Sequence, residues 1–127
     1  MEPFALPATE RTPAILLDPV EGVMEIRGRS IPENADRFFT PLHAIVDAYA
    51  MAPRPTSLLR VELSYFNSST AKFLLDLFRQ WEDLHASGRS KVRMEWLHAR
   101  NDADMAEAGE DYRSLLEFPV KVMAVGQ

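Results

Sequence analysis

The sequence predicts an α/β fold, namely a single mixed sheet of about five strands in the order β-β-α-β-α-β-α-β with helices packed against it. Two observations support this prediction. Stretches with an apolar residue at every second position alternate along the chain with stretches whose apolar residues recur every three to four positions. A long helix between two strands is a crossover, so part of the sheet should be parallel, whereas a short opening hairpin makes the sheet mixed.

The composition is that of an ordinary globular protein. The chain has 127 residues, of which 46% are hydrophobic and 26% are charged, so we expect one domain over residues 1–127. There is no cysteine, which excludes disulfides, thiolate metal sites and thiol catalysis. The net charge of −5 argues against a nucleic-acid partner. No apolar run is long enough to span a bilayer and no signal peptide is recognisable, so we expect a cytoplasmic protein without a membrane partner.

The chain should begin with a lead-in and a hairpin. Residues 1–12 contain two prolines and no sustained apolar period, so we expect a loosely ordered segment. Residues 14–18 and 23–28 predict two short strands, and the proline and glycine between them favour an antiparallel hairpin.

A helix should follow the hairpin. Pro32 suits a first helical turn, because its missing N–H is not needed there. Pro41 should kink or split the helix, since its ring clashes with the carbonyl of Arg37. The expected buried face consists of Phe38, Leu42, Ile45, Val46 and Tyr49.

The centre of the chain predicts a strand, a polar turn and an amphipathic helix. From Leu59 to Tyr65 apolar and polar residues alternate, as in a half-buried strand. From Leu74 to Leu84 the apolar residues have helical spacing, and Gly88 is a plausible stop. Between the two patterns lie residues that favour helix N-termini, namely Asn67, Ser68, Ser69 and Thr70.

The remaining chain predicts a strand, an acidic helix and a last strand. Apolar and polar residues alternate again over residues 91–97, which predicts a strand. Asn101 or Asp102 should cap the acidic helix, which Gly109 weakens by roughly 1 kcal/mol. After it, Val120, Val122 and Val125 predict an edge strand.

The three hydroxyls of the polar turn allow two interpretations. Backbone N–H groups at a helix N-terminus are unpaired and positively polarised, so a phosphate added there would be stabilised. Lys72 could pair with such a phosphate, and Tyr65 and Phe66 add apolar surface for a partner. The alternative is that these side chains do nothing but cap the helix.

The sequence offers little for catalysis. His43, His85 and His98 lack a second histidine at helical spacing, and neither nucleotide-binding loops nor a GxSxG motif is present. The acidic residues between Asp102 and Asp111 could in principle collect Mg²⁺ or Ca²⁺, which leaves a small metal-dependent enzyme as an alternative. A solvated or partner-facing acidic helix is the plainer interpretation, so we predict neither catalytic nor metal-ligating residues.

The sequence resembles the SiaC family of bacterial regulatory phosphoproteins. The resemblance covers most of the chain, and its most specific motifs are PEN and YFNSS. The matching segments are Thr12–Pro13, residues 28–34, the stretch ELSYFNSSTAKFLLDLF, Trp96, residues 102–105 and residues 109–111.

The resemblance implies a partner-switching adaptor, with a fold similar to anti-sigma-factor antagonist domains and no cofactor. In this family the hydroxyl residue after the turn asparagine is phosphorylated, which implies Ser68 here, with Ser69 as second candidate. By the same resemblance, we expect a Ser/Thr kinase of the histidine-kinase-like ATPase type to add the phosphate and a PP2C-type phosphatase to remove it. The unmodified form is expected to activate an effector such as a diguanylate cyclase, which would raise cyclic di-GMP and promote biofilm formation.

Polar residues in loops beside a candidate site often mark a binding surface. On that argument we assign to the partner surface Glu33, Asn34, Tyr65, Asn67, Lys72 and Asp104. The alternatives are ordinary structural roles for these residues, and a constitutive interaction module in which the serines are caps.

Overall fold

The computed structural model describes residues 1–126, which form six strands and three helices. The amino-terminal half contains β1 (Phe4–Leu6), β2 (Ala14–Asp18), β3 (Val23–Ser30), α1 (Ala35–Met51) and β4 (Thr56–Phe66). The carboxy-terminal half contains α2 (Ser68–Ala86), β5 (Lys91–Ala99), α3 (Ala103–Leu115) and β6 (Val120–Val125).

All six strands belong to one mixed sheet, and they lie in the order in which they occur along the chain. β1, β2 and β3 are antiparallel neighbours, whereas β3 to β6 are parallel. Each parallel pair is joined through a helix. Crossovers of this kind are right-handed and here always step in the same direction, so the three helices cover the same face of the sheet.

The core lies between that face and the helices. The alternate residues of the strands that point into it include Met24, Val61 and Trp96, and the helices contribute Phe39 from α1 and Trp81 from α2. These five side chains are at most 1% exposed. The alternation in the sequence is therefore the alternation between the two faces of the sheet.

The opposite face of the sheet carries a row of charges instead of helices. Arg60 donates from Nη1 to Glu25 Oε2 at 2.9 Å and from Nε to Glu95 Oε1 at 3.0 Å. The sheet register places Glu25, Arg60, Glu95 and Lys121 side by side on four neighbouring strands. Opposite charges on adjacent strands stabilise the sheet without burying apolar surface.

The structure corrects three predictions about elements. The sheet has six strands and not five, because β1 forms within residues 1–12 and pairs with β2, where a loosely ordered lead-in was expected. α1 begins at Ala35, with Asn34 as its N-cap, so Pro32 precedes the helix. Pro41 does not split α1, which continues from Ala35 to Met51; the proline lies on its exposed side.

The loops after β3, β4 and β5 meet at one edge of the sheet, since parallel strands end on the same side. The segment between β1 and β2 joins them, because Ile31 N donates to Arg11 O at 2.8 Å and Arg29 Nε donates to Glu10 O at 2.7 Å. Within residues 1–126, none of the helices combines the length and apolar character required of a membrane span.

Candidate functional site

The N-terminus of α2 lies at this loop edge and is built by one capping residue. Asn67 has an extended backbone, and its Oδ1 accepts a hydrogen bond from Thr70 N at 3.0 Å. Asn67 N in turn donates to Ser30 O at 3.1 Å, which fixes the turn to the end of β3. The helix begins at Ser68, so the three hydroxyl residues occupy its first turn.

The three hydroxyls have different surroundings. Thr70 is fully buried, and its Oγ1 lies 3.1 Å from Ser30 O and 2.9 Å from Ser30 Oγ. Ser69 is exposed but donates to Asn67 Oδ1 at 3.0 Å. Ser68 is exposed, and its hydroxyl makes no hydrogen bond to any residue in 1–126. A phosphoryl donor can therefore reach Ser68 without breaking a hydrogen bond.

The backbone at this point offers donors to an anion. Thr70 N and Ala71 N are bonded to Asn67, at 3.0 and 3.1 Å. The N–H groups of Ser68 and Ser69 find no acceptor among the residues that the structure describes. Two free donors at the positive end of a helix of 19 residues favour a negatively charged group on Ser68.

Tyr65 and Phe66 lead into this turn and form apolar surface beside it. Tyr65 is 58% exposed, one of the most exposed large apolar side chains of the described chain, and Phe66 is half-buried. Tyr65 and Asp104 line one cavity of about 210 Å³ between the end of β4 and the start of α3. These two predicted residues are therefore brought together.

The other residues predicted for the partner surface lie outside that cavity. Asn34 caps α1, and its Oδ1 accepts from Arg37 N at 3.0 Å. Glu33 is exposed and approaches Arg11 to 4.0 Å. Lys72 is exposed one helical turn after Ser68 and has no carboxylate within 4.0 Å in the described part of the chain. Both asparagines thus have a structural role as well.

Sequence reasoning missed the buried contacts of three residues that hold the site in place, although Thr70 was among the predicted residues of the polar turn. Ser30 and Thr70 form the buried contact between β3 and α2 described above. Tyr112 Oη donates to Ala71 O at 2.9 Å and so joins α3 to the first turn of α2. Burial, with a contribution from the Asp111 carboxylate, raises the pKa of Tyr112 far above its usual range, so the phenol stays a donor. The spacing of residues in the sequence gives no signal of such a role for Ser30 or for Tyr112.

The acidic helix does not converge on a metal site. Asp102 Oδ1 caps α3 by accepting from Met105 N at 3.0 Å, and Glu110 pairs with Arg113 at 3.0 Å. Within residues 1–126 no three histidine, aspartate or glutamate side chains come together as a metal site.

The three histidines have separate hydrogen-bond partners. The Nδ1 atom lies 2.6 Å from Gln80 Oε1 in His43 and 2.8 Å from Ala99 O in His98. In His85 the Nδ1 atom accepts a hydrogen bond from Val92 N at 3.0 Å. They lie on three different elements, α1, α2 and β5.

The chain is similar over nearly its whole length to known proteins. Residues 6–125 match the sequence model of the family described as SiaC family regulatory phosphoprotein. An uncharacterized protein of Pseudomonas aeruginosa (strain UCBPP-PA14) is 32% identical over 125 residues, which cover 98% of both chains.

Two crystal structures share the fold. Apo-SiaC from Pseudomonas aeruginosa matches with a TM-score of 0.89 and 30% identity, over 98% of this chain and 100% of the other. SiaC in complex with the diguanylate cyclase SiaD, whose activator it is, matches with a TM-score of 0.89 and 30% identity, over 96% and 99% of the two chains. The predicted mixed α/β sheet and the family resemblance are both confirmed.

Proposed function

We propose that this chain, which belongs to the SiaC family of regulatory phosphoproteins, is a non-enzymatic adaptor switched by phosphorylation of Ser68. The observation that carries the proposal is the state of Ser68. Among the three hydroxyls of the α2 N-terminus it alone is both exposed and free of hydrogen bonds within residues 1–126. In this proposal the form without phosphate binds and activates a diguanylate cyclase. The support for a cyclase partner is the similarity to SiaC, the activator of the diguanylate cyclase SiaD.

Charge supplies the mechanism of the switch. A phosphate on Ser68 adds about −1.5 to −2 charges at pH 7 and three acceptor oxygens. These oxygens bind the free N–H groups of Ser68 and Ser69, the same donors that a carboxylate or carbonyl group of the partner would use. The partner then loses its hydrogen bonds and meets a negative charge. A tenfold change in affinity requires only about 1.4 kcal/mol.

The switch requires two enzymes. By family resemblance, the kinase is of the histidine-kinase-like ATPase type and the phosphatase of the PP2C type. The exposed position of Ser68 in the first helical turn suits both, since each active site must reach the side chain without unfolding α2. Ser69 is the second candidate, and its modification would first have to break the hydrogen bond to Asn67.

The proposed partner surface surrounds Ser68 at the loop edge of the sheet. It comprises Glu33, Asn34, Tyr65, Asn67, Lys72 and Asp104. Tyr65 contributes apolar area, and Lys72 lies four residues after Ser68 on the same helix, where it can pair with the phosphate. Most substitutions of Asn34 or Asn67 would also remove a helix cap. Asn→Asp is the informative change at these two positions, because aspartate can still cap the helix.

Binding of the cognate cyclase by four proteins tests the proposal. Wild type and Ser68→Ala should bind equally and stimulate cyclic di-GMP synthesis, whereas Ser68→Asp should bind at least about tenfold more weakly. Ser69→Ala is the matched control, because it removes the neighbouring hydroxyl, and it should behave as wild type. Isothermal titration calorimetry and a cyclase assay supply the two readouts.

Mass spectrometry after incubation with the kinase and ATP maps the modified residue. A phosphate on Ser68 supports the proposal. If Ser68→Asp binds the cyclase as tightly as wild type, the protein is a constitutive interaction module whose binding Ser68 does not control.

A further inference from the structure

The cavity beside the Ser68 turn combines an apolar floor with an acidic rim. It has a volume of about 210 Å³ and is lined by Ser64, Tyr65, Phe66, Asp102, Asp104, Met105 and Ala108. Met105 is only 6% exposed, and Phe66 and Ala108 are half-buried, so these three form the floor. The ring of Tyr65 and the carboxylate of Asp104 are exposed at the opening.

The rim is negative and lacks an internal counter-ion. The Asp104 carboxylate has no hydrogen bond and no ion pair with any residue in 1–126. Asp102 uses Oδ1 to cap α3, which leaves its Oδ2 free. Neither lysine nor arginine lines the cavity. A ligand that is positively charged at one end and apolar along its length complements this arrangement.

We propose that the cavity receives an arginine side chain presented by the partner protein. The methylene groups would pack on Met105 and Phe66, while the guanidinium group would lie on the Tyr65 ring and pair with Asp104. Arginine suits the site better than lysine, because its planar group stacks on aromatic rings and donates two hydrogen bonds to one carboxylate. The identification of the partner as the cyclase rests on the proposed function. The preference of the cavity for arginine is independent of the proposed function.

The cavity proposed to bind arginine and the proposed phosphorylation site, Ser68, are separate parts of the surface. Ser68 does not line the cavity, although only Asn67 lies between it and Phe66. The phosphate would therefore act on the group that the partner places at the α2 N-terminus, while the arginine supplies affinity beside it. Asp104→Asn should weaken cyclase binding and leave the rate of Ser68 phosphorylation unchanged.

A peptide titration tests the cavity without the cyclase. Three blocked tripeptides, Ala-Arg-Ala, Ala-Lys-Ala and the same peptide with citrulline, an uncharged analogue of arginine, are added while backbone amide shifts are followed by NMR. The arginine peptide should shift the signals of Tyr65, Phe66, Asp104 and Met105 and bind most tightly. Asp104→Asn should weaken it about tenfold or more, because a hydrogen-bonded pair of opposite charges is lost. Tyr65→Leu should reduce the preference for arginine over lysine, because stacking on the ring is lost while the two hydrogen bonds to Asp104 remain.

Glu107→Gln is the matched control, since it removes one acidic charge from the same helix outside the cavity. It should bind the arginine peptide as wild type does. Equal binding of the citrulline peptide, shifts at another surface, or an equal loss in Glu107→Gln would overturn the proposal. These outcomes are distinct from failure of the Ser68 series, because the peptides contain no phosphate and no cyclase is present.

Discussion

Gly109 shows how a single residue can have a role that the sequence does not reveal. In the sequence it appears only as a weak point of α3. In the structure, α3 approaches β5 so closely that a Cβ atom at Gly109 would lie 2.8 Å from Trp96 Nε1 and 2.9 Å from Trp96 Cγ. The Trp96 side chain cannot easily move away from an added Cβ atom, because it is 1% exposed and its Nε1 donates to Met105 O at 2.9 Å.

Gly109→Ala should therefore destabilise the protein, although alanine is the better helix former. The gain in helix propensity is about 1 kcal/mol, and overpacking against the tryptophan costs about 1–3 kcal/mol. We expect a net loss of up to about 2 kcal/mol in the free energy of unfolding, measured by urea denaturation. Glu107→Ala, at an exposed position of α3, should change stability by less than about 0.5 kcal/mol. A Gly109→Ala variant more stable than wild type would contradict the packing argument.

Local chemistry made some residues predictable and others not. The positions of two caps could be predicted to within a few residues, because the preference of polar side chains for helix N-termini needs only the neighbouring sequence. The structure selects Asp102 over Asn101 for α3, and Asn67 from the four polar residues of the predicted turn for α2. The choice of Ser68 over Ser69 was implied only by the family resemblance. The observed difference in their hydrogen bonds depends on the backbone, which sequence spacing does not specify.

At the scale of elements, the contact between Ser30 and Thr70 fixes the start of α2 to the end of β3. Both side chains are fully buried, and Thr70 Oγ1 lies within hydrogen-bonding distance of both oxygens of Ser30. The contact joins residues 40 apart in sequence, so it determines where the Ser68 turn lies relative to the loop after β3.

Thr70→Val keeps the size of the side chain and removes the hydroxyl. Because it leaves a buried serine hydroxyl with one partner fewer, we expect a loss of about 1–3 kcal/mol in the free energy of unfolding. Chemical denaturation measures it, with Thr40→Val, at an exposed position of α1, as the control. The double variant with Ser30→Ala should lose less than the sum of the two single variants. Strict additivity would show that the two hydroxyls do not interact.

The elements with long periodic patterns were predicted, and those set by tertiary contacts were not. β4 and α2 follow from their spacing, because each buries one complete face. β1 is only three residues long, and it forms a strand by pairing with β2. α1 continues through Pro41, whose ring lies on the side of the helix away from the core. The sequence predicts that a proline inside a helix is unfavourable, but it does not show which side of the helix the ring will occupy.

At the scale of the whole molecule, the site lies at one edge of the sheet, whereas the core lies between one face of the sheet and the helices. The mixed sheet was predictable from the order of strands and helices, but its strand order and its uncovered face were not. Those depend on which strands pair, and pairing is decided by contacts between distant segments. The Ser68 turn meets the buried interior through Thr70, Phe66 and the hydrogen bond from Tyr112 to Ala71 O, whereas Ser68 itself is exposed, which suits a switch that changes surface charge alone.

Ser68→Asp should therefore leave the fold and its stability intact. An acidic group in the first turn of a helix stabilises it by about 0.3–1 kcal/mol, so the free energy of unfolding should stay equal or rise within that range. Urea denaturation and far-ultraviolet circular dichroism test this, with Ser69→Ala as reference. A loss of more than about 1 kcal/mol would mean that the variant acts by unfolding α2 and not through its charge.

The uncovered face of the sheet also makes the protein convenient to label. Arg93 is exposed on that face, away from the loop edge, and the chain contains no cysteine. Arg93→Cys would introduce a unique thiol to which a fluorescent dye can be attached. Binding at the Ser68 turn could then be followed by anisotropy in real time, without an altered residue at the surface under study.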